Sequence, residues 1–100
     1  MATAVELVVA DNADEQRYEA RQGSDVVGFI AYRLDPGRMT LIHTEVAPAL
    51  EGKGIASQLV TEALEDIRRR GLTLVPICPY VRSYFGRHPE YADLVARTES

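Results

Sequence analysis

The segment from Ile55 to Ile67 has the apolar spacing of one broad helical face, and this stripe constrains the fold more than any other part of the chain. Its apolar residues are Ile55, Ala56, Leu59, Val60, Ala63, Leu64 and Ile67. Gly71 supplies a stop, and Arg68–Arg70 places positive charge at the negative end of the helix dipole. We therefore predict one long amphipathic helix packed against a sheet.

Four segments rich in β-formers precede this helix and one follows it. The predicted strands are Val5–Ala10, Arg17–Gln22, Val26–Leu34, Met39–Val46 and Leu72–Cys78. Arg17–Gln22 alternates cleanly and reads as an edge-like strand. Val26–Leu34 is apolar on both faces, as expected of a central strand that is covered on each side. Pro36 and Gly37 suit the central positions of a type II turn into the next antiparallel strand.

The two strands that flank the long helix are predicted to lie side by side. Met39–Val46, the helix and Leu72–Cys78 make a βαβ unit with parallel strands. Pro76 has no N–H to donate to a ladder. Either Leu72–Cys78 is an edge strand, or its pairing fails at Pro76 because two neighbouring strands splay apart and open a slot.

The length of 100 residues suits one domain, which we expect to span residues 1–100. Its longest nearly apolar run, Val26–Tyr32, is far short of the ~20 residues that cross a bilayer, and no signal-like N-terminus is present. We therefore expect a cytoplasmic protein. A single cysteine excludes an internal disulfide framework, and we expect no metal site. The whole net charge of −4 lies in residues 1–50, and this acidic first half argues against general nucleic-acid binding.

Gly52-Lys53-Gly54 lies at the corner where a strand gives way to the long helix. The first N–H groups of a helix lack intrahelical partners and attract anions. The two glycines would allow unusual φ values and a close approach of phosphate oxygens, and Lys53 would add a mobile charge. The spacing matches neither a dinucleotide fingerprint nor a Walker loop. A tight turn that merely needs positive φ is the alternative interpretation.

The corner, Glu51-Gly52-Lys53-Gly54-Ile55-Ala56, follows a meander of strands and opens a long helix. This arrangement resembles the GNAT superfamily of acetyl-CoA-dependent N-acetyltransferases, whose pattern is Gln/Arg-x-x-Gly-x-Gly/Ala. Glu51 departs from the first position of that pattern. The segments HTEV, GKGIASQLV, PICPYV and HPEY resemble one small branch, the YjdJ-like minimal GNAT proteins, over roughly Val5 to Val95. The resemblance implies an α/β (α+β) fold with a mixed, mostly antiparallel central sheet and a βαβ unit around one long helix.

The same resemblance implies that acetyl-CoA or CoA is the cofactor. Backbone N–H groups around the two glycines would hold the diphosphate, and the pantetheine arm would lie in the slot between the HTEV and VPIC strands. The cofactor-binding residues that it implies are Val46, Gly52, Lys53, Gly54, Ile55, Ala56, Ser57, Gln58 and Cys78.

Two polar residues just before the corner could act on an acceptor amine. His43 and Glu45 share one strand face, since they are two residues apart. Acetyl transfer requires a neutral amine, so either residue could take a proton from an incoming ammonium. A solvent-facing ion pair and a structural histidine are the alternatives.

The short helix expected at Tyr80–His88 supplies two more candidates. Pro79 suits a first helical position, so Cys78 is predicted at the N-cap, where the dipole favours a thiolate. Cys78 could accept an acetyl group or lie near the thioester, or it could be a small buried apolar residue. The resemblance makes Tyr84 a candidate general acid for the departing thiolate, and a core aromatic is the alternative.

These patterns predict an acetyl-CoA-dependent N-acetyltransferase that acts on an unidentified small-molecule or peptide amine. The alternative is a non-catalytic acetyl-CoA or CoA-binding module. Glu51 favours it, and so does the expectation that this sequence lacks the two further strands that help to shape the acceptor site in larger relatives. A third hypothesis is a small interaction domain whose glycines only turn the chain. We expect no nucleic-acid or membrane partner, and a monomer or weak homodimer.

Overall fold

The structure is a computed structural model, and it describes residues 7–95. In chain order its elements are β1 (Leu7–Asn12), β2 (Arg17–Gln22), β3 (Asp25–Asp35), β4 (Arg38–Val46), α1 (Ile55–Arg69), β5 (Thr73–Pro76) and α2 (Pro79–Arg87), with 3₁₀ turns at Pro48–Leu50 and Pro89–Leu94. The predicted first strand begins at Val5, so its first two residues lie outside the described residues. Within residues 7–95, no helix is long and apolar enough to cross a membrane.

The strands form one sheet in the order β1-β2-β3-β4-β5. The first three pairings are antiparallel, and β5 runs parallel to β4 because α1 carries the chain back. This mixed, mostly antiparallel sheet with its βαβ unit confirms the predicted fold class. The prediction of Arg17–Gln22 as an edge strand is wrong, because β2 pairs with β1 on one side and β3 on the other.

The core lies between one face of the sheet and α1. The predicted helical stripe is buried at Ile55, Leu59, Val60, Ala63, Leu64 and Ile67. Burying each large aliphatic side chain of this kind contributes about 1.5–3 kcal/mol. Gly28 in β3 allows α1 to approach, since a Cβ there would lie 3.2 Å from the Cδ1 atom of Leu59. The stripe is therefore matched to the sheet by side-chain size as well as by polarity.

α2 and the last turn pack on the same side of the sheet as α1. The hydroxyl of Tyr84 in α2 contacts Thr61 of α1, and Tyr91 donates a hydrogen bond to Glu65 of α1. The opposite face of the sheet, called the far face below, is covered by no helix within residues 7–95. The prediction that β3 is covered on both sides is therefore wrong. Phe29 on the far face is only half-buried, with the Arg17 guanidinium 4.9 Å from its ring centroid.

A buried carboxylate stabilises the far face. Glu19 is 1% exposed and accepts hydrogen bonds from Asn12, Arg17 and Arg21. Burial by itself raises the pKa of Glu19. The hydrogen bonds from the two arginines and the asparagine outweigh burial and lower the pKa from 4.5 to about 2. The alternation of charged and apolar residues in β2 thus produces an ion network on one face and core residues on the other.

Candidate active site

The corner between β4 and α1 has a backbone conformation that favours glycine. Gly52 and Gly54 both have φ of 83°, and Gly54 is the N-cap of α1. An L-residue in this left-handed region costs roughly 1–2 kcal/mol. A Cβ at either position would meet no atom within 4 Å, so both glycines border open space. The predicted need for positive φ is confirmed, and the open space leaves room for a ligand.

Six consecutive backbone N–H groups at this corner have no acceptor within residues 7–95. They belong to residues 52–57, which comprise the glycine turn and the first three residues of α1. The N-cap makes no side-chain hydrogen bond, and the first turn contains no acidic residue. The positive end of the helix dipole therefore lies bare at this point, which is an arrangement that binds anions.

A cavity of about 450 Å³ opens at these N–H groups and is called the cofactor cavity below. Its lining residues are Thr44, Val46, Leu50, Glu51, Gly52, Gly54, Ile55, Ala56, Ser57 and Tyr80. Six of the predicted cofactor-binding residues thus line one space. The predicted residues Lys53 and Gln58 are exposed and lie outside this lining.

Glu51 is the only charged residue among those lining residues. Its carboxylate repels anions and so weakens the attraction that the positive end of the helix dipole has for them. The neighbouring Lys53 is exposed, and its ammonium can reach the rim of the cavity from solvent. The cavity walls are otherwise apolar or uncharged. A ligand that is anionic at one end and amphipathic along its length would fit this distribution.

A bulge in β4 decides which of its side chains face the cofactor cavity. Tyr32 pairs with Leu41 and Ala31 pairs with His43, so Ile42 is an extra residue in β4. One extra residue exchanges the two faces of a strand. Leu41 is buried on the α1 side before the bulge, whereas Thr44 lines the cavity after it.

The same stretch of β4 extends beyond its parallel partner. β5 pairs with β4 only from Arg38 to Leu41, and the N–H groups of Ile77 and Cys78 both donate to the carbonyl of Leu41. The rest of β4, up to Val46, has β3 on one side and no strand from residues 7–95 on the other. Half of its backbone polar groups therefore face a gap. β5 ends the strand order within residues 7–95, so the edge-strand alternative predicted from Pro76 is confirmed, and the gap beyond its end is called the slot below.

Cys78 lies at the side of this slot. It is the N-cap of α2 with Pro79 in the first helical position, as the sequence predicted, and it is 2% exposed. Its Sγ atom lies 3.2 Å from Oγ1 of Thr44, whose side chain lines the cofactor cavity. The thiol therefore does not line the cavity itself but contacts Thr44, which does. Its reactivity stays a prediction.

His43 and Glu45 share a strand face, as their spacing predicted, but this is the far face. The Nε2 atom of His43 lies 3.0 Å from Oε1 of Glu45, and both side chains are more than half exposed. The His43 ring meets the edge of Phe29 at 6.3 Å between centroids. The pair can therefore exchange a proton with a solvent-side amine, on the side of β4 away from the cavity.

Tyr84 is buried, with its hydroxyl 2.5 Å from Oγ1 of Thr61. Thr61 donates its own proton to the carbonyl of Ser57, so the Tyr84 hydroxyl is the donor to Thr61. Its ring also stacks on His88 at 4.1 Å. The role of Tyr84 as an acid stays a prediction, and the tyrosine that lines the cavity is Tyr80.

Sequence reasoning missed Thr44, Leu50 and Tyr80 as cavity residues. Thr44 lies between the two candidate bases in HTEV, so strict alternation was the signal that placed it on the opposite face. Tyr80 immediately follows the N-cap and the first helical residue, which brings it to the end of α2 nearest the slot. Leu50 belongs to a 3₁₀ turn that carries no periodic signal.

Comparison with known proteins agrees with this geometry. A family model described as GCN5-related N-acetyl-transferase matches residues 17–94. The solution structure of a GCN5-like protein from Staphylococcus aureus is 21% identical, with a TM-score of 0.67 over 95% of this chain and 91% of that chain. The crystal structure of a ribosomal-protein-alanine N-acetyltransferase from Brucella melitensis biovar Abortus is 23% identical, with a TM-score of 0.52 over 84% of this chain and 64% of that chain. At these identities the two structures establish a shared fold.

Proposed function

Because the chain belongs to the GCN5-related N-acetyltransferase family, we propose that it transfers an acetyl group from acetyl-CoA to the nitrogen of an amine. The observation that carries this proposal is the row of six unpaired N–H groups at the mouth of the cofactor cavity. Such a row suits a diphosphate, because each oxygen can accept from a backbone donor at the positive end of a helix.

The slot suits the uncharged arm that joins the diphosphate to the thioester. From Val46 back to Ile42 the strand spans about 13 Å at ~3.3 Å per residue. Unpaired backbone groups of β4 along this stretch can hydrogen-bond to the amides of a pantetheine arm. The thioester end then lies near Thr44 and Cys78, which are in contact with each other.

Bound acetyl-CoA supplies a thioester carbonyl whose C–S bond breaks when a new C–N bond forms. The acceptor nitrogen reaches that carbonyl from the far face, where His43 and Glu45 take the proton that the ammonium must lose. The strand β4 lies between these residues and the cavity. The hydroxyl of Tyr80, which lines the cavity, or that of Tyr84 gives a proton to the departing thiolate, and the second proton that the nitrogen loses as the amide forms restores that hydroxyl.

Cys78 offers a second route through a covalent step. Its thiolate would attack the thioester carbonyl, the CoA thiolate would leave with a proton, and the acceptor amine would then displace the cysteine sulfur from the acetyl group. The contact between the Cys78 Sγ and Thr44 places the thiol beside the slot, which favours this route. In the single-step alternative, Cys78 only lines the thioester end.

A second candidate function is binding of acetyl-CoA or CoA without turnover. Glu51 favours it, since a carboxylate in the cavity lining weakens the site for a diphosphate and leaves less binding free energy for catalysis. A binding module would be stabilised by acetyl-CoA by RT ln(1 + [L]/Kd) and would leave the thioester intact.

Three measurements on the protein and two of its variants distinguish these functions. A melting scan with and without acetyl-CoA shows whether the cavity binds the cofactor, and we expect stabilisation. Release of free CoA thiol with a panel of amines shows turnover, which Glu45→Gln should reduce. Intact mass after incubation with acetyl-CoA alone shows whether Cys78 gains an acetyl group, with Cys78→Ala as the control. No stabilisation by any CoA species would leave only the interaction-domain hypothesis.

A further inference from the structure

Exposed apolar side chains are concentrated around the His43–Glu45 pair. Within residues 7–95 the large apolar side chains that stay exposed are Val8, Val26, Leu34, Ile42 and Ile77. Ile42 precedes His43 in β4, Val26 lines a depression together with Glu45, and Ile77 follows Pro76, the partner of Leu41. Single exposed apolar residues need no explanation, but a contiguous group beside a polar pair points to a ligand that covers it.

Ile42 and Ile77 each lie one residue beyond the last pair of the parallel ladder. That pair is Leu41 and Pro76, and the Ile77 N–H donates to the Leu41 carbonyl at 3.0 Å. The bulge turns Ile42 outward together with His43, and the two isoleucines are 42% and 55% exposed.

A shallow depression lies on the other side of the pair. It measures about 140 Å³, and Val26, Val27, Phe29 and Pro48 supply most of its apolar wall. Glu45 is the only charged residue that lines it. Val46 lines both this depression and the cofactor cavity, so the two spaces lie back to back across the end of β4.

We propose that this part of the far face binds the acceptor, and that the acceptor is a primary amine carrying a compact apolar group. The ammonium is held by Glu45 and the apolar group covers Ile42 and Ile77. This inference rests on the proposed function and names the substrate class that its site would take. A carboxylate among apolar side chains complements a hydrophobic ammonium, whereas a polyamine or an arginine-rich peptide would leave the isoleucines exposed.

The charges around the site agree with this class. The Arg17 guanidinium over Phe29 donates to Glu19, and within residues 7–95 no arginine or lysine forms a salt bridge with Glu45. Glu45 therefore keeps its attraction for a single cation. In the transfer step the ammonium gives one proton to the His43–Glu45 pair and its nitrogen forms the amide bond to the acetyl carbon. The C–S bond of acetyl-CoA breaks with its electron pair on sulfur, and the second proton that the nitrogen loses goes to that sulfur.

Methyl NMR of the isoleucines tests this inference without requiring turnover. The chain has five isoleucines, at positions 30, 42, 55, 67 and 77. Ile55 lines the cofactor cavity and reports acetyl-CoA, while Ile42 and Ile77 report the acceptor. Titration with leucinamide should shift the methyl signals of Ile42 and Ile77 and leave those of the buried Ile30 and Ile67 unchanged. Asparaginamide, which has nearly the same shape, should bind roughly tenfold more weakly.

Matched variants separate the apolar pair from general effects. Ile77→Ser should bring the two amides within about threefold of each other. Val8→Ser is the control, since Val8 is 53% exposed on the far face of β1, away from the pair. It should keep the preference for leucinamide.

Several outcomes would overturn the inference. Equal affinity for the two amides would do so, as would a preference that survives Ile77→Ser. Concentration-dependent shifts of Ile42 and Ile77 without any amine would show that a second copy covers them instead. An Ile55 signal that responds to acetyl-CoA while Ile42 and Ile77 ignore every amine would reject this acceptor site and leave the proposed cofactor site standing. An Ile55 signal that ignores acetyl-CoA would reject the cofactor site itself.

Discussion

Replacing Gly54 by alanine should weaken both the fold and the binding of acetyl-CoA. The φ of 83° costs an alanine about 1–2 kcal/mol, and no steric term is added because a Cβ there meets no atom within 4 Å. In a domain of this size each 1 kcal/mol lowers Tm by about 4–8 °C. The added methyl projects into space at the cofactor cavity, where it would separate a diphosphate oxygen from the amides. Losing one hydrogen bond to a charged group costs about 1.5–3 kcal/mol, or roughly ten- to hundredfold in Kd.

Gly71 provides the matched control for this experiment. It follows α1 at the opposite end, has φ of 68°, and a Cβ there also meets no atom within 4 Å. Gly71→Ala should therefore lose similar stability and keep its affinity. Melting scans give the first quantity, and calorimetric titration with acetyl-CoA and with pyrophosphate gives the second. Equal affinities of Gly54→Ala and Gly71→Ala for acetyl-CoA would refute the diphosphate cradle.

Three further predictions concern the ion network, the buried hydroxyl and the candidate base. Hydrogen bonds hold the pKa of Glu19 at about 2, so its carboxylate contributes stability above pH 4.5 that is lost as pH falls from 4.5 towards 2. Glu19→Gln should reduce the difference between the free energies of unfolding at pH 7 and pH 3 by about 2 kcal/mol, a value that allows for solvent screening of the partly exposed arginines. Urea melts at the two pH values measure this difference, and an unchanged difference would contradict the prediction. Tyr84→Phe should lose about 1 kcal/mol of stability with its bond to Thr61 and leave the Kd for acetyl-CoA unchanged, which a tenfold change in that Kd would disprove. Glu45→Gln should keep Tm and acetyl-CoA affinity and lower turnover by about a hundredfold, so a wild-type rate would remove Glu45 from the chemistry.

The elements that sequence predicted well are those whose signal is local. The helical stripe, the glycine stop, the type II turn and the N-cap before Pro79 each depend on residues within one or two turns of one another. Backbone geometry and side-chain spacing are sufficient for such features. The same reasoning found the glycine corner, because helix ends need partners whatever the rest of the fold does.

Errors arose where an element's surroundings mattered. Arg17–Gln22 has the alternation of a half-exposed strand, yet it lies inside the sheet with a strand on each side. Its charged face is tolerated there because Arg17 and Arg21 both donate hydrogen bonds to Glu19. Val26–Leu34 is apolar on both faces, but the helices of residues 7–95 pack on only one of them. The alternation of residues along a strand shows which face is polar, but it does not show which element packs against either face.

Local sequence was enough to predict a long amphipathic helix that starts at a glycine corner and a strand that ends near a proline. Helix propensity, apolar periodicity and the N–H group that proline lacks are all properties of neighbouring residues. The assembled sheet sets the rest, since the bulge at Ile42 turns Thr44 towards the cavity and His43 with Glu45 towards the far face. A bulge follows from how β4 pairs with β3 while β5 stops short, and pairing between distant segments leaves no periodic trace in either segment. The separation of the cavity residues from the His43–Glu45 pair across one strand is therefore a product of the assembled sheet.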